Sequence, residues 1–330
     1  MKKCLLVVSA LLGLSAPAHA LVGGGTANGG VNVAGVPLPA AGVGYNVNTF
    51  SSTFNNDVDV GYTNVPGFNW YLWNWFSPSG LGHANAANIT ITPGVSAYFA
   101  GENIGPNAEL SSADVDSTNS TFVGTAFGGG GYFEATISFD PTTFTAAPGW
   151  PAWWSMSIEH AAYNSGLALW TGQITGYSCY NELDFMEYMN YASLPNSYVG
   201  TLHTHYNQAP ANGYLDQVVN NSPNGGNIDA VASYTMFRNP HTYGVLWVPH
   251  TSTTPGYAQY YFDRKPVGTA VTWTAFVASA HTPPPAGTWA FGVIDNMHLA
   301  LILGTGTGSP MTVYKVQVWQ ASSANNITHL

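Results

Sequence analysis

The chain has 330 residues, of which only 7% are charged, and a formal net charge of -10. Setting aside Lys2 and Lys3, the six basic residues reduce to four (Arg238, Arg264, Lys265 and Lys315) against sixteen acidic ones. So little positive charge excludes nucleic acid and anionic membranes as partners and argues against a heavily sulfated ligand. Abundant Trp, Tyr, Asn and Gly suit a neutral, hydroxyl-rich ligand, because flat aromatic faces stack on it while polar edges hydrogen-bond.

Residues 1–20 carry Lys2-Lys3, an apolar run from Cys4 to about Ala16, and Ala18-His19-Ala20. This is the pattern of a secretory signal peptide, and the run is too short to span a membrane. A secreted protein, extracellular or periplasmic, is therefore expected, with the mature chain beginning near Leu21. Cys179 is then the only cysteine, so no intrachain disulfide forms, and it reads as a small buried apolar residue. Residues 21–44 are rich in Gly, Ala, Val and Pro without a period and read as a flexible leader. One domain is expected over residues 45–322, followed by a tail at 323–330.

The densest aromatic stretch is Phe68-Asn-Trp-Tyr-Leu-Trp-Asn-Trp-Phe76. Most of it reads as core, with Trp73 and Trp75 as candidate sugar platforms. Asn88-Ile-Thr-Ile-Thr92 and Val95-Ser-Ala-Tyr-Phe99 predict a hairpin across Pro93-Gly94, and residues 111–120 read as a polar loop. Tyr132-Phe-Glu-Ala-Thr-Ile-Ser-Phe139 alternates as a half-buried strand does, with Glu134 satisfied by a neighbouring strand. No helix-length amphipathic run occurs. Many short alternating strands with Gly, Pro and Asn turns predict an all-β sandwich.

Three of the sixteen acidic residues fall within Glu182-Leu-Asp-Phe-Met-Glu187, on a run that otherwise belongs in a core. Carboxylates are costly there unless they have a task. Strand alternation puts Glu182 and Asp184 on one face and Glu187 on the other. A β-bulge at Phe185 or Met186 returns Glu187 to the first face. The two glutamates are then effectively four positions apart, roughly 13 Å along an ideal strand. Three close carboxylates cannot all ionise cheaply, so a proton is held among them.

Glu-x-Asp-x-x-Glu on a bulged strand resembles the catalytic signature of glycoside hydrolase family 16, in its laminarinase-like and agarase-like forms. Trp150-Pro-Ala-Trp-Trp154 is similar to the family's Trp-Pro-Ala-Phe-Trp segment, and Gly200-Thr-Leu-His203 to its Gly-Thr-Leu-His strand. Tyr243-Gly-Val-Leu-Trp-Val-Pro249, Tyr260-Tyr-Phe-Asp263 and Met311-Thr-Val-Tyr-Lys-Val-Gln-Val-Trp-Gln320 resemble later strands of the family in the same order. Thr136, Tyr314 and Gln317 depart from the family's usual Arg, Asp and Arg.

The resemblance implies a concanavalin A-like jelly roll. It implies a retaining, endo-acting hydrolase of β-1,3- or mixed-linkage β-glucan, with Glu182 as nucleophile, Glu187 as acid/base and Asp184 between them. In such enzymes the two carboxyl groups stand about 5 Å apart. Trp150 and Trp154 would flank the cleft. His203 reads either as tuning the acids or as structural; His203 and His205 share a face, as a metal pair would, but no third ligand accompanies them. No cofactor is implied, and Tyr314 in place of Asp weakens the family's structural calcium site. A monomer acting on polysaccharide is expected. The alternatives are an agarase-like hydrolase of a neutral galactan, transfer to a sugar acceptor, or a glycan-binding sandwich without catalysis.

Overall fold

The computed structural model describes residues 30–74, 82–101, 108–116, 121–144, 150–159, 179–189, 194–206, 215–220, 227–274, 291–305 and 309–329. In chain order they form a one-turn helix α1 (Leu38–Ala41) and the strands β1 (Val47–Ser52), β2 (Val58–Asp59), β3 (Trp70–Tyr71), β4 (Trp73–Asn74), β5 (Gly82–His83), β6 (Ile89–Thr92), β7 (Ser96–Phe99) and β8 (Ala108–Ser111). There follow β9 (Ala113–Asp116), β10 (Thr121–Ala126), β11 (Gly131–Phe139), β12 (Ala152–Ser157), β13 (Cys179–Glu187), β14 (Ser197–Tyr206), β15 (Leu215–Asn220) and β16 (Asn227–Asp229). The last are β17 (His241–Val248), β18 (Gly256–Phe262), β19 (Lys265–Trp273), β20 (Leu299–Thr305), β21 (Met311–Gln320) and β22 (Ile327–His329).

Two large sheets make the predicted sandwich. The back sheet has eight strands in the order β19-β18-β17-β11-β21-β7-β6, with β1 also on β21. The front sheet has nine, in the order β15-β14-β13-β12-β20-β8-β3-β2, with β16 also on β14. Alternation decides what lies between them: Phe133, Ala135 and Ile137 of β11 and Tyr243, Val245 and Trp247 of β17 point inward, and meet Leu183, Phe185, Trp153, Leu301 and Leu303 of the front sheet. All are fully buried. Each large side chain so buried contributes about 1.5–3 kcal/mol. The β6–β7 hairpin forms as the sequence predicts, and Glu134 is held by Arg264 in two bonds of 3.0 and 2.7 Å.

Three segments differ from the sequence reading. Residues 30–44 are not a free leader: Asn32 Oδ1 accepts from the amides of Ala34 and Val36, Pro37 precedes α1, and Val36, Ala40 and Tyr45 bury against Tyr132 and Leu246 on the outer face of the back sheet. Tyr45 also donates its hydroxyl to the Trp247 carbonyl at 3.2 Å. The apolar residues pack through a turn rather than along a helix or strand, so they carry no period. The tail at 323–330 likewise contains β22, which pairs with β10.

The polar stretch 111–120 also conceals a strand. At Ser112 the chain turns from β8 of the front sheet into β9, which joins β10 and β22 in a third sheet of order β22-β10-β9. Ser112 locks the corner: its amide donates to the Leu301 carbonyl, its hydroxyl accepts from the Leu301 amide, and its carbonyl accepts from the Thr125 amide. Gly124 crosses here with φ +88, and a Cβ would come within 2.2 Å of the Ser112 oxygen. The small sheet lies on the outer face of the front sheet. Ala113, Phe122 and Ala126 cover Ala152, Trp154, Met156, Ala300 and Ile302, with Ile327 packed alongside.

Candidate active site

The bulge forms in β13 at the expected place. On the β12 side, Trp153 faces Met186 and Trp154 faces Asp184, so Phe185 is the extra residue. On the β14 side, Asp184 faces Thr201 and Glu187 faces Val199. The core drives this geometry. Phe185 stacks on Phe133 of the back sheet (centroids 5.6 Å, 15°) and meets Trp153 edge-on (4.7 Å, 62°), while Met186 is also fully buried. Two consecutive residues therefore turn inward, and Glu187 turns outward beside Asp184 and Glu182.

Hydroxyls on the core side fix β13 to β12: Ser155 Oγ donates to the Leu183 carbonyl at 3.1 Å and Ser157 Oγ to the Asn181 carbonyl at 2.9 Å. Gly200, beneath the bulge, leaves room for the Tyr260 ring, which a Cβ would approach to 2.5 Å.

Each acid has its own partner. His205 Nε2 lies 2.9 Å from Glu182 Oε2, and His203 Nε2 lies 3.3 Å from Asp184 Oδ2. Trp150 Nε1 donates to Glu187 Oε1 at 2.7 Å. The two imidazoles lie parallel (5.4 Å, 4°). Asp184 is buried, and its Oδ1 meets no donor among the described residues. Burial, with the charges of Glu187 and Glu182, pushes its carboxyl well above the usual range, against the pull of His203. Burial also raises Glu187 to about 7, aided by Glu182 and opposed by the hydrogen bonds of Trp150 and Asp184 and by the charge of His203. Like charges in one buried site cannot all ionise cheaply, which is why both carboxyls stand above their usual range.

The structure thus gathers Glu182, Asp184, Glu187, Trp150 and His203. Trp154 stands opposite Asp184 but is buried under β10, so it forms the floor of the neighbouring packing rather than an open sugar-stacking wall. The Trp73 side chain and Trp75 lie outside the described residues. His205 is the residue that the sequence reading weighed only as half of a metal pair, although its even spacing from His203 placed both on the face of the acids. Tyr314, where the resemblance expects a calcium-binding Asp, has its hydroxyl 3.0 Å from Ser138 Oγ. Among the described residues no three His, Cys, Asp or Glu side chains gather as metal ligands, and no helix is long and apolar enough to cross a membrane.

This is an all-β jelly roll carrying a carboxylate cluster on one outer face. Among solved structures it resembles β-agarase A in complex with oligoagarose, with 13% identity, a TM-score of 0.50, and coverage of 84% of this chain and 91% of that one. The β-porphyranase BpGH16B from the human gut bacterium Bacteroides plebeius aligns with 14% identity and a TM-score of 0.48 over 86% and 93% of the two chains. β-Agarase A from Zobellia galactanivorans aligns with 12% identity and a TM-score of 0.44 over 75% and 78%. No protein-family model and no curated protein sequence matches the chain.

Proposed function

We propose that this chain is a secreted retaining glycoside hydrolase that cleaves a polysaccharide of low charge. The reading rests on one observation: a bulge at Phe185 presents three carboxyls together, one of them, Glu187, raised to about 7. At neutral pH such a group still holds the proton that a leaving sugar oxygen requires. Glu182, held by His205, is the carboxylate that attacks the anomeric carbon. The glycosyl–oxygen bond breaks as Glu187 delivers its proton, and a covalent ester to Glu182 results. Esterification removes the charge of Glu182, so Glu187, now ionised, takes a proton from the water that hydrolyses the ester. Asp184 positions both. Side chains alone carry these steps, without a cofactor.

The substrate proposed first is a β-1,3- or mixed-linkage β-glucan, because Glu182-x-Asp184-x-x-Glu187 and the Trp150 segment are similar to laminarinase-type sequences. Charge supports a neutral polymer. Arg238 pairs with Asp140, Arg264 with Glu134, and Lys265 and Lys315 lie on strands of the back sheet, away from the acids. Agarose is the second reading, favoured by the fold shared with β-agarase A bound to oligoagarose.

The test is incubation of the purified chain with laminarin, mixed-linkage glucan and agarose, beside Glu182→Gln. Oligosaccharides released only by the unmodified chain, with the β-anomer formed first in the NMR spectrum, support a retaining hydrolase and identify its polymer. Initial release of the α-anomer would refute the nucleophile role of Glu182. Polymer retained by both proteins without products would point to a binding sandwich.

A further inference from the structure

We infer that His241 is a pH-sensitive clamp. Protonated, it ties the short 3-10 helix Tyr234–Arg238 to the turn between β18 and β19; on losing its proton, it lets that helix go. The inference does not depend on the hydrolase reading.

Both ring nitrogens of His241 face acceptors. Nδ1 lies 2.9 Å from Asp263 Oδ2, and Nε2 lies 3.2 Å from the Met236 carbonyl oxygen. A neutral imidazole carries one N–H, so only the imidazolium satisfies both oxygens. The ring packs on Phe262 (4.8 Å, 31°), and its side chain is only 12% exposed.

Each partner belongs to a segment that needs the tie. Asp263 and Arg264 make the turn at φ +49 and +60, left-handed conformations that residues other than glycine seldom adopt. Asp263 holds this turn to β17: Oδ1 accepts from the Thr242 amide at 3.0 Å, while Oδ2 takes His241. Met236 lies in the helix. Beside it, Phe237 stacks on Phe139 (4.9 Å, 21°) and meets Tyr188, the residue after Glu187, edge-on (5.3 Å, 67°). Loss of the proton leaves a lone pair facing one of the two oxygens. The remaining N–H stays with charged Asp263, the stronger acceptor, so the Met236 bond breaks. The helix is then tethered at its end through Arg238, which pairs with Asp140 at 3.0 Å.

The surrounding charges set the pH window. The hydrogen bond to Asp263 raises His241 above 6.5 against burial, helped by the charge of Asp263 and by the Met236 carbonyl. Its contribution is therefore complete below about pH 6.5 and is lost as pH rises through the folded value. Burial alone would raise Asp263, but the bonds from His241 and the Thr242 amide and the charges of His241 and Lys265 bring it below 3.8. That half of the clamp fails only in stronger acid. On the neighbouring elements, Arg264 turns to Glu134, Arg238 to Asp140, and the buried phenols of Tyr198 and Tyr243 are raised and stay neutral.

The experiment is a pH titration of the full chain by NMR, with the His241 ring signal identified by its absence in His241→Gln. A midpoint above 6.5 that falls in Asp263→Asn is expected; a midpoint at or below 6.5 overturns the clamp. Hydrogen exchange of residues 234–239, corrected for the intrinsic rate, gives the second measurement. Protection is expected to drop several-fold between pH 6 and pH 8.5 in the unmodified chain and to be low at both in His241→Gln. Equal protection at the two pH values in the unmodified chain overturns the release. Should His241→Gln fail to fold, Asp263→Asn supplies both readings, because its loss of the charged acceptor lowers the pH at which protection drops.

Discussion

His205 Nε2 stands 2.9 Å from Glu182 Oε2, two residue pairs along the ladder from the His203 that directly faces that glutamate. Both imidazoles lean the same way, so His203 reaches Asp184 and His205 reaches Glu182. Parallel stacking keeps the two rings from turning independently. An ionised carboxylate has no proton to give, so Nε2 of His205 supplies the hydrogen.

Replacing His205 by Phe keeps a flat ring beside His203 but removes that donor. A hydrogen bond to a charged group contributes about 1.5–3 kcal/mol, so kcat is expected to fall about 10- to 100-fold while KM changes little. His205→Gln should recover part of the loss. Equal kcat values for all three proteins would show that His205 only packs.

The acid limb and the alkaline limb of the rate report different groups. Glu187 must be protonated to act, and its carboxyl lies at about 7. The ratio kcat/KM should therefore fall about tenfold per pH unit above that value. A flat profile to pH 9 would remove Glu187 from the acid role.

Trp150→Phe tests the same proton from outside. The Trp150 N–H favours ionised Glu187, and its loss should move the alkaline limb to higher pH while activity at lower pH persists. An unmoved or lowered limb would contradict the 2.7 Å bond's influence.

Stability carries the matching signature. Because the folded Glu187 carboxyl titrates above its usual value, its favourable contribution is complete below about pH 4.5 and is lost as pH rises through about 7. The loss is on the order of 3 kcal/mol. Glu187→Gln should abolish turnover yet raise the melting temperature at pH 8 relative to the unmodified chain. Calorimetry at pH 5 and pH 8 checks both.

Gly200→Ala places a methyl group where the Tyr260 ring lies, at 2.5 Å. Both belong to packed strands, so overpacking of about 1–3 kcal/mol is expected, seen as a lower denaturant midpoint.

Much of the site was legible because strand periodicity is strict. Two adjacent core residues, Phe185 and Met186, force the bulge, and the bulge forces Glu187 outward. His203 followed from its place beside the acids, and His205 was available by the same parity but had been weighed only as half of a metal pair. Long-range packing was not legible. Residues 30–44 bury Val36 and Ala40 through a turn, and β9 is hidden in a polar stretch because the apolar face its sheet covers, on β12 and β20, is distant in sequence. For the same reason the burial of Trp154 could not be read from its neighbours.

Residues 30–45 pack on the outer face of the back sheet, and the acids open from the outer face of the front sheet. Residue 30, where the described residues begin, stands on the side away from the carboxyls. A surface coated with the protein through that end would present the acids to the solution, and captured chains would keep the activity of free ones.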